Sequence, residues 1–311
     1  MKPIKPNFFI IGAPKCGTTA LYHYLLDHPE ICFSKVKEPS HFCTDFRGIC
    51  DKLTDEEYLK REFQHCTVKT PAIGEASVWY LYSNSAVKNI FEFNPDSKII
   101  IMLRDPVNMV QSLHSQLLFT LDEDVEDFES AWNLQHQRLD GINIPKTCRE
   151  PSILQYRKIG SYSSQLKRVF SIFPRNQIKV ILFDDFVNNT KKVYDSTLNF
   201  LEVSSFPKTD FPKINENKVY RFNFLARITN RHPSWAYKLT KFLRNKFGIQ
   251  RLGIQKYILD NLTNYFNLRQ VKRFKLPDNT RKMLLNEFYE DISETEEILN
   301  VDLSKWKISE S

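Results

Sequence analysis

The sequence predicts an α/β fold, a parallel sheet flanked by helices, followed by a basic helical C-terminal region. Three observations carry this. The apolar runs Phe8–Ile11 and Ile99–Leu103 are short, unbroken and rich in β-formers, as strands buried on both faces are. Each run passes through a short loop straight into a helix-like segment, the unit from which parallel sheets are built. Charge is also segregated: residues 217–282 hold 16 Lys or Arg against two acids, Asp260 and Asp278, in a chain of net charge +7.

Taken in order, a strand over 8–11, a helix over 17–28 and a strand over 31–33 open the pattern. The polar, cysteine-bearing stretch 43–70 reads as loops with one short helix near Asp55–Phe63. Ser97–Leu103 is the next strand, and Val107–Phe119 a helix that starts behind Pro106, where a missing N–H costs nothing. Val125–Leu139 reads as helix and 143–151 as loop. A helix over 161–173, a strand over 178–183 and a helix over 190–202 complete the core. Residues 204–218 form a Pro-containing linker, and 222–273 read as basic amphipathic helices. Asp278-Asn279-Thr280 supplies an N-cap for a last helix reaching about Leu299. The 311 residues suffice for one large domain, with 217–282 as a basic lid or substrate subregion inside it.

The loop after the first strand, Gly12-Ala13-Pro14-Lys15-Cys16-Gly17-Thr18-Thr19, has the makings of a phosphate cradle. Glycines let backbone N–H groups close on an anion, Lys15 adds charge, and the following helix N-terminus adds unpaired donors. It is P-loop-like with one departure. The lysine precedes Gly17, and Thr18 stands where the nucleoside-triphosphate loop has its lysine. The plainer alternative is a strand–helix turn in which Thr18 or Thr19 merely caps the helix.

Pro14-Lys15-Cys16-Gly17-Thr18-Thr19 resembles the PKxGTT loop of sulfotransferases that use 3′-phosphoadenosine 5′-phosphosulfate (PAPS). Their second signature, a strand ending in Arg-Asp-Pro with a Ser eight residues after the Arg, is matched by Arg104-Asp105-Pro106 and Ser112. Lys37-Glu38-Pro39, Gly74-Glu75-Ala76-Ser77 with Tyr80-Leu81, and Asp302-Leu303-Ser304-Lys305-Trp306 resemble elements of the heparan-sulfate-type and bacterial branch. Gly160-Ser161-Tyr162 ahead of the 178–183 strand fits as well. Departures are Asn108 where an arginine is frequent, Val78 for a proline, and Ala20 where cytosolic members stack adenine on Trp. No Arg-Lys-Gly element stands near the C-terminus.

The resemblance implies PAPS as donor, its desulfated product PAP as ligand, and no metal. Pro14, Lys15, Cys16, Gly17, Thr18 and Thr19 would hold the 5′-phosphosulfate, with Lys15 on the bridging oxygen. Arg104 and Ser112 would hold the 3′-phosphate, and Tyr162 joins the donor-binding set. Sulfuryl transfer, like phosphoryl transfer, asks mainly for positioning and charge stabilisation. The acceptor must also lose a proton. Glu38 is the candidate base, flanked by Lys35 and Lys37, and His41 the second, because an imidazole titrates near neutrality. Glu75 reads as a buried structural or substrate-orienting carboxylate.

The acceptor is expected to be a glycan, a lipid or a small metabolite. For the basic stretch 217–282 three readings stay open: a solvated helical face, a surface for an anionic substrate or the 3′-phosphate, or peripheral contact with a membrane. It contains no recognisable nucleic-acid module. Rival functions are a P-loop kinase, which needs the lysine after Gly17 and a metal-binding Asp at a strand end, and a non-enzymatic binder of anionic surfaces. No apolar run reaches transmembrane length, and Met1–Asn7 lead directly into a strand, so the expected compartment is the cytoplasm. Six cysteines without regular spacing predict free thiols rather than a disulfide framework. Cys43, Cys50, His65 and Cys66 match no common zinc spacing.

Overall fold

The computed structural model describes residues 4–214, 218–220, 268–270 and 275–308. The chain divides into two compact units, one of residues 1–118, 122–214 and 275–311, the other of 119–121 and 215–274.

The first unit is built on a five-stranded parallel sheet of β1 (Phe8–Gly12), β2 (Ile31–Phe33), β3 (Ala72–Ala76), β4 (Lys98–Leu103) and β5 (Ile178–Leu182), in the order β2-β3-β1-β4-β5. β1 is central. Phe8, Phe9, Ile10 and Ile11 are all fully buried, which is why this run shows no polar alternation. β1 pairs with β3 on one side (Phe8 opposite Gly74, Ile10 opposite Ala76) and β4 on the other (Phe9 opposite Ile99). A Cβ at Gly74 would come within 2.0 Å of the Phe8 ring, so glycine is required there. The chain order reverses around β1. The loops leaving the C-terminal ends of β1, β3 and β4 therefore face one another, the usual place for a ligand in an open α/β sheet.

Eleven α-helices are described: α1 (Thr18–Leu26), α2 (Asp55–Phe63), α3 (Ala86–Phe93), α4 (Pro106–Thr120), α5 (Phe128–Asn133), α6 (Gln135–Leu139), α7 (Tyr156–Gly160), α8 (Tyr162–Ile172), α9 (Phe183–Asn188), α10 (Thr190–Leu201) and α11 (Asp278–Leu299). None is long and apolar enough to cross a membrane. α2 starts with a full capping box, Thr54 and Glu57 bonding each other's backbone N–H, and presents Tyr58, Leu59 and Phe63 to the core. The single helix expected over 125–139 is two. Asp127 caps α5 through Ser130 N–H at 2.8 Å, and Leu134 separates it from α6. Asp278 is the first residue of α11, and no side chain caps that helix; Thr280 instead donates to Glu129 at 2.6 Å.

In the second unit β6 (Lys218–Tyr220) pairs antiparallel with β7 (Leu268–Gln270), so 268–270 is strand where helix was expected. The rest of the predicted basic helices, 222–267 and 271–273, lie outside the described residues, and with them most of the stretch 217–282 on which the lid, membrane or substrate readings rest.

The cysteine expectation is corrected. Cys32 on β2 and Cys66 beyond α2 form a disulfide, bridging segments 34 residues apart. His65 rather than Cys43 or Cys50 completes that cluster. Tertiary pairing, not sequence spacing, brought these sulfurs together.

Candidate active site

β1 ends in a loop that the backbone shapes for an anion. Lys15 and Gly17 both adopt positive φ (62° and 92°), and Gly17 is the N-cap of α1. A Cβ at Gly17 would meet Phe183 at 3.1 Å and Met102 at 3.3 Å, so the loop lies close against the neighbouring strand. No side chain caps α1 and no acidic residue occupies its first turn. Thr18 and Thr19 therefore do not act as the simple helix cap of the plainer alternative. Their end of the helix keeps its positive dipole and unpaired donors for an external anion. A phosphate or sulfate group fits this cradle.

Lys15 Nζ donates to Gln116 Oε1 on α4 at 3.0 Å. Gln116 sits one turn beyond Ser112, so the ammonium is drawn to the helix face that carries Ser112, itself 2% exposed. Arg104 leaves the end of β4 with its guanidinium 4.5 Å over the Phe183 ring. Asp105 caps α4 by accepting from Val107 N–H at 2.9 Å and takes a further bond from Asn108 Nδ2. Burial pushes Asp105 up to about 6, against the Val107 N–H and the Arg281 and Arg104 charges. A carboxylate so occupied as a helix cap is poorly placed to hold the metal that a kinase needs.

Two of the predicted donor residues act behind the surface. Cys16 is fully buried, its thiol on Pro14 O at 3.3 Å and pushed up by burial to about 12, so it is a spacer and not a nucleophile. Tyr162 is 1% exposed, its hydroxyl donating to Arg104 O at 3.0 Å and lying 3.8 Å from Cys16 Sγ. It thereby fastens the phosphate loop to the strand end that carries Arg104.

Glu38 reaches the same edge of the sheet by a different route. Its N–H bonds Ala76 O at the end of β3 at 3.0 Å, and Ser77 Oγ accepts Ser40 N–H at 3.1 Å. Glu38 and Ser40 both take positive φ, turning the chain sharply. Behind the turn lies Glu75, wholly buried, accepting from Tyr58 and from Ser77 Oγ at 2.6 Å; burial pushes its pKa up. Glu75 is thus a structural carboxylate. Glu38 itself is 36% exposed and ion-paired with Lys37.

His41, the second candidate base, is otherwise engaged. Its Nδ1 meets Asp51 at 2.8 Å and its Nε2 meets Asp55 at 2.9 Å, while the ring stacks on Tyr58 at 4.2 Å. Burial works against charge on the ring, but its bonds to the Asp55 and Asp51 carboxylates outweigh it and raise the pKa. A ring with both nitrogens engaged by carboxylates offers neither of them to an acceptor's proton.

Sequence reasoning missed Gln116, Phe183 and Arg149. The i, i+4 spacing of Ser112 and Gln116 was a usable signal; the other two have none locally. Arg149 projects its backbone N–H, Nε and Nη2 onto Asp122 at 3.0, 3.2 and 2.8 Å. Asp122 is fully buried, and the arginine side chain is 55% exposed. The Asp122 bond holds the guanidinium's pKa up against burial, and the Glu38 carboxylate adds to the effect.

Such a cradle at the end of the central strand, with an arginine at the end of the next, places the chain among P-loop-like α/β proteins. It belongs to the sulfotransferase family: the sulfotransferase domain matches residues 5–224. Carbohydrate sulfotransferase 15 of Mus musculus is 27% identical over 252 residues, covering 64% of this chain and 44% of that protein. The bifunctional heparan sulfate N-deacetylase/N-sulfotransferase 1 of Caenorhabditis briggsae is 26% identical over 285 residues, covering 88% and 31%. This chain spans less than half the length of either relative. A sulfotransferase from Alicyclobacillus acidocaldarius superposes with a TM-score of 0.70 at 24% identity, over 98% of this chain and 100% of that one, a likeness of fold.

Proposed function

We propose that the protein moves a sulfuryl group from PAPS to a hydroxyl or amine of a carbohydrate acceptor, with Glu38 as general base. The observation that carries this is the uncapped α1 N-terminus joined to the Lys15 ammonium, beside Arg104 on the next strand. Lys15 is poised to neutralise charge on the oxygen that the donor releases. Gly17, Thr18 and Thr19 offer backbone and hydroxyl donors to the 5′-phosphate, and Arg104 with Ser112 serves the 3′-phosphate. Gln116 fixes the ammonium before the donor arrives.

Glu38 is the partly exposed carboxylate on the turn over β3, ion-paired with Lys37 and open to an acceptor's proton. Arg149, rigid on Asp122 and within the electrostatic reach of Glu38, suits an acceptor bearing its own carboxylate or sulfate near the reacting group. The names of the relatives, which act on carbohydrate and on heparan sulfate, agree with a glycan.

The test is incubation of the protein with ³⁵S-labelled PAPS and separate polysaccharide, lipid and soluble fractions. Label in polysaccharide, lost in Glu38→Gln while PAP binding is retained, is the expected result. Unchanged turnover in that variant removes Glu38 as the base.

A further inference from the structure

The disulfide stands outside the donor site, yet it closes the segment that carries Glu38. Cys32 lies on the edge strand β2 and Cys66 three residues past α2, so the bridge encloses both the Glu38 turn and all of α2. α2 grips that turn at both ends. At its start Asp55 holds His41, and near its finish Glu62 accepts Lys35 N–H on its backbone carbonyl (2.9 Å) and Val36 N–H on its side chain (3.0 Å). Lys37 and Glu38 follow at once.

The bridge is also reachable. Cys32 is half-buried in an open cleft lined by Tyr22, Leu26, Lys35, Gln64 and an exposed His65, whereas Cys66 is 6% exposed. His65 Nε2 sits 3.8 Å from Cys66 Sγ and 3.0 Å from Phe33 O. An imidazole at a sulfur is the arrangement that eases departure of a thiolate.

We infer that Cys32–Cys66 with His65 is a thiol–disulfide exchange site for a dithiol reductant, and that its redox state governs the Glu38 turn. The regulatory half rests on the assignment of Glu38 made above. A thiolate of the reductant attacks the accessible Cys32 Sγ. The S–S bond breaks, and Cys66 Sγ leaves with the electron pair beside the His65 ring. The reductant's second thiol then attacks the mixed disulfide, releasing Cys32 as thiolate. Two electrons pass from the dithiol, which becomes a disulfide, and both cysteines take up protons. Reduced, β2 and the end of α2 lose their covalent link, and the Glu62 contacts that hold Lys35 and Val36 ahead of Glu38 rest on hydrogen bonds and packing alone.

The experiment uses the intact protein in dithiothreitol redox buffers. Differential alkylation with mass spectrometry reads the state of Cys32 and Cys66, calorimetry reads PAP affinity, and labelled transfer reads activity. Expected are a pair oxidised in mild oxidant, a transfer rate at least ten-fold lower on full reduction, and PAP affinity changed less than two-fold. The Cys32→Ser/Cys66→Ser protein should match the reduced form and ignore the buffer. His65→Gln should reach the same end states with reduction at least five-fold slower. Free thiols at both positions under oxidant, or an unchanged transfer rate after complete reduction, overturn the inference. So does one equivalent of zinc bound by the reduced protein and lost in His65→Gln, which would make the cluster a metal site. Alkylation and reduction rates need no turnover, so failure of exchange is separable from failure of the donor assignment.

Discussion

Replacing Lys15 by alanine removes the one charge that the phosphate loop itself supplies. Lys15 is only partly exposed and pinned to Gln116 at 3.0 Å, so the ammonium needs little rearrangement to act. At about 4 Å from a developing unit charge, with an effective dielectric near 20, it contributes about 4 kcal/mol. That is about three decades in rate. The neighbouring donors at the start of α1 remain, so binding should weaken less than turnover slows. The assay is single-turnover consumption of ³⁵S-labelled PAPS with the acceptor found by fractionation, alongside calorimetric PAP binding and a melting curve. We expect transfer reduced about a thousand-fold, with PAP affinity within about ten-fold and melting near that of the parent. A folded, donor-saturated variant that loses less than ten-fold would refute the assignment, because no uncharged group in the loop replaces that field.

Three further expectations follow from the same geometry. Arg104→Ala should weaken PAP much more than adenosine 5′-phosphate, by about 1.5–3 kcal/mol, the usual loss of a charge-assisted bond; equal losses would place the 3′-phosphate elsewhere. Arg149→Gln should raise KM for an acidic acceptor about ten-fold or more, with kcat and PAP affinity little changed, and an unchanged KM removes Arg149 from acceptor binding. For His41 the folded pKa is raised above its ordinary value near 6.5, so its ion pairs stabilise the fold fully below that value. That contribution is lost as pH rises through the folded pKa. His41→Gln should flatten the fall in melting temperature across this window, and an unaltered slope would mean the Asp51 and Asp55 contacts do not hold in solution.

Much of this was written locally. The all-buried run Phe8–Ile11 announced a central strand because it lacks polar alternation, and Gly12 with Gly17 announced a loop needing positive φ before a helix. The extents of α2 and α11 were legible from their patterning, although the cap expected from Asp278-Asn279-Thr280 did not form. β3 was not, since Gly74 and Glu75 read as polar until Phe8 lies over one and Tyr58 with Ser77 satisfies the other. The break at Leu134 was equally silent, because amphipathic spacing runs through it.

By itself, the sequence determined the parallel sheet and the glycine-bearing loop between β1 and α1, because strands, turns and helix starts depend on residues next to one another. Tertiary structure alone decided which titratable groups are free to act. His41 is engaged by two carboxylates ten and fourteen residues away, Cys16 is sealed under Tyr162, and Cys32 meets Cys66 across an edge strand. Reactivity depends on burial and on partners distant in the chain, and no local pattern of residues encodes either.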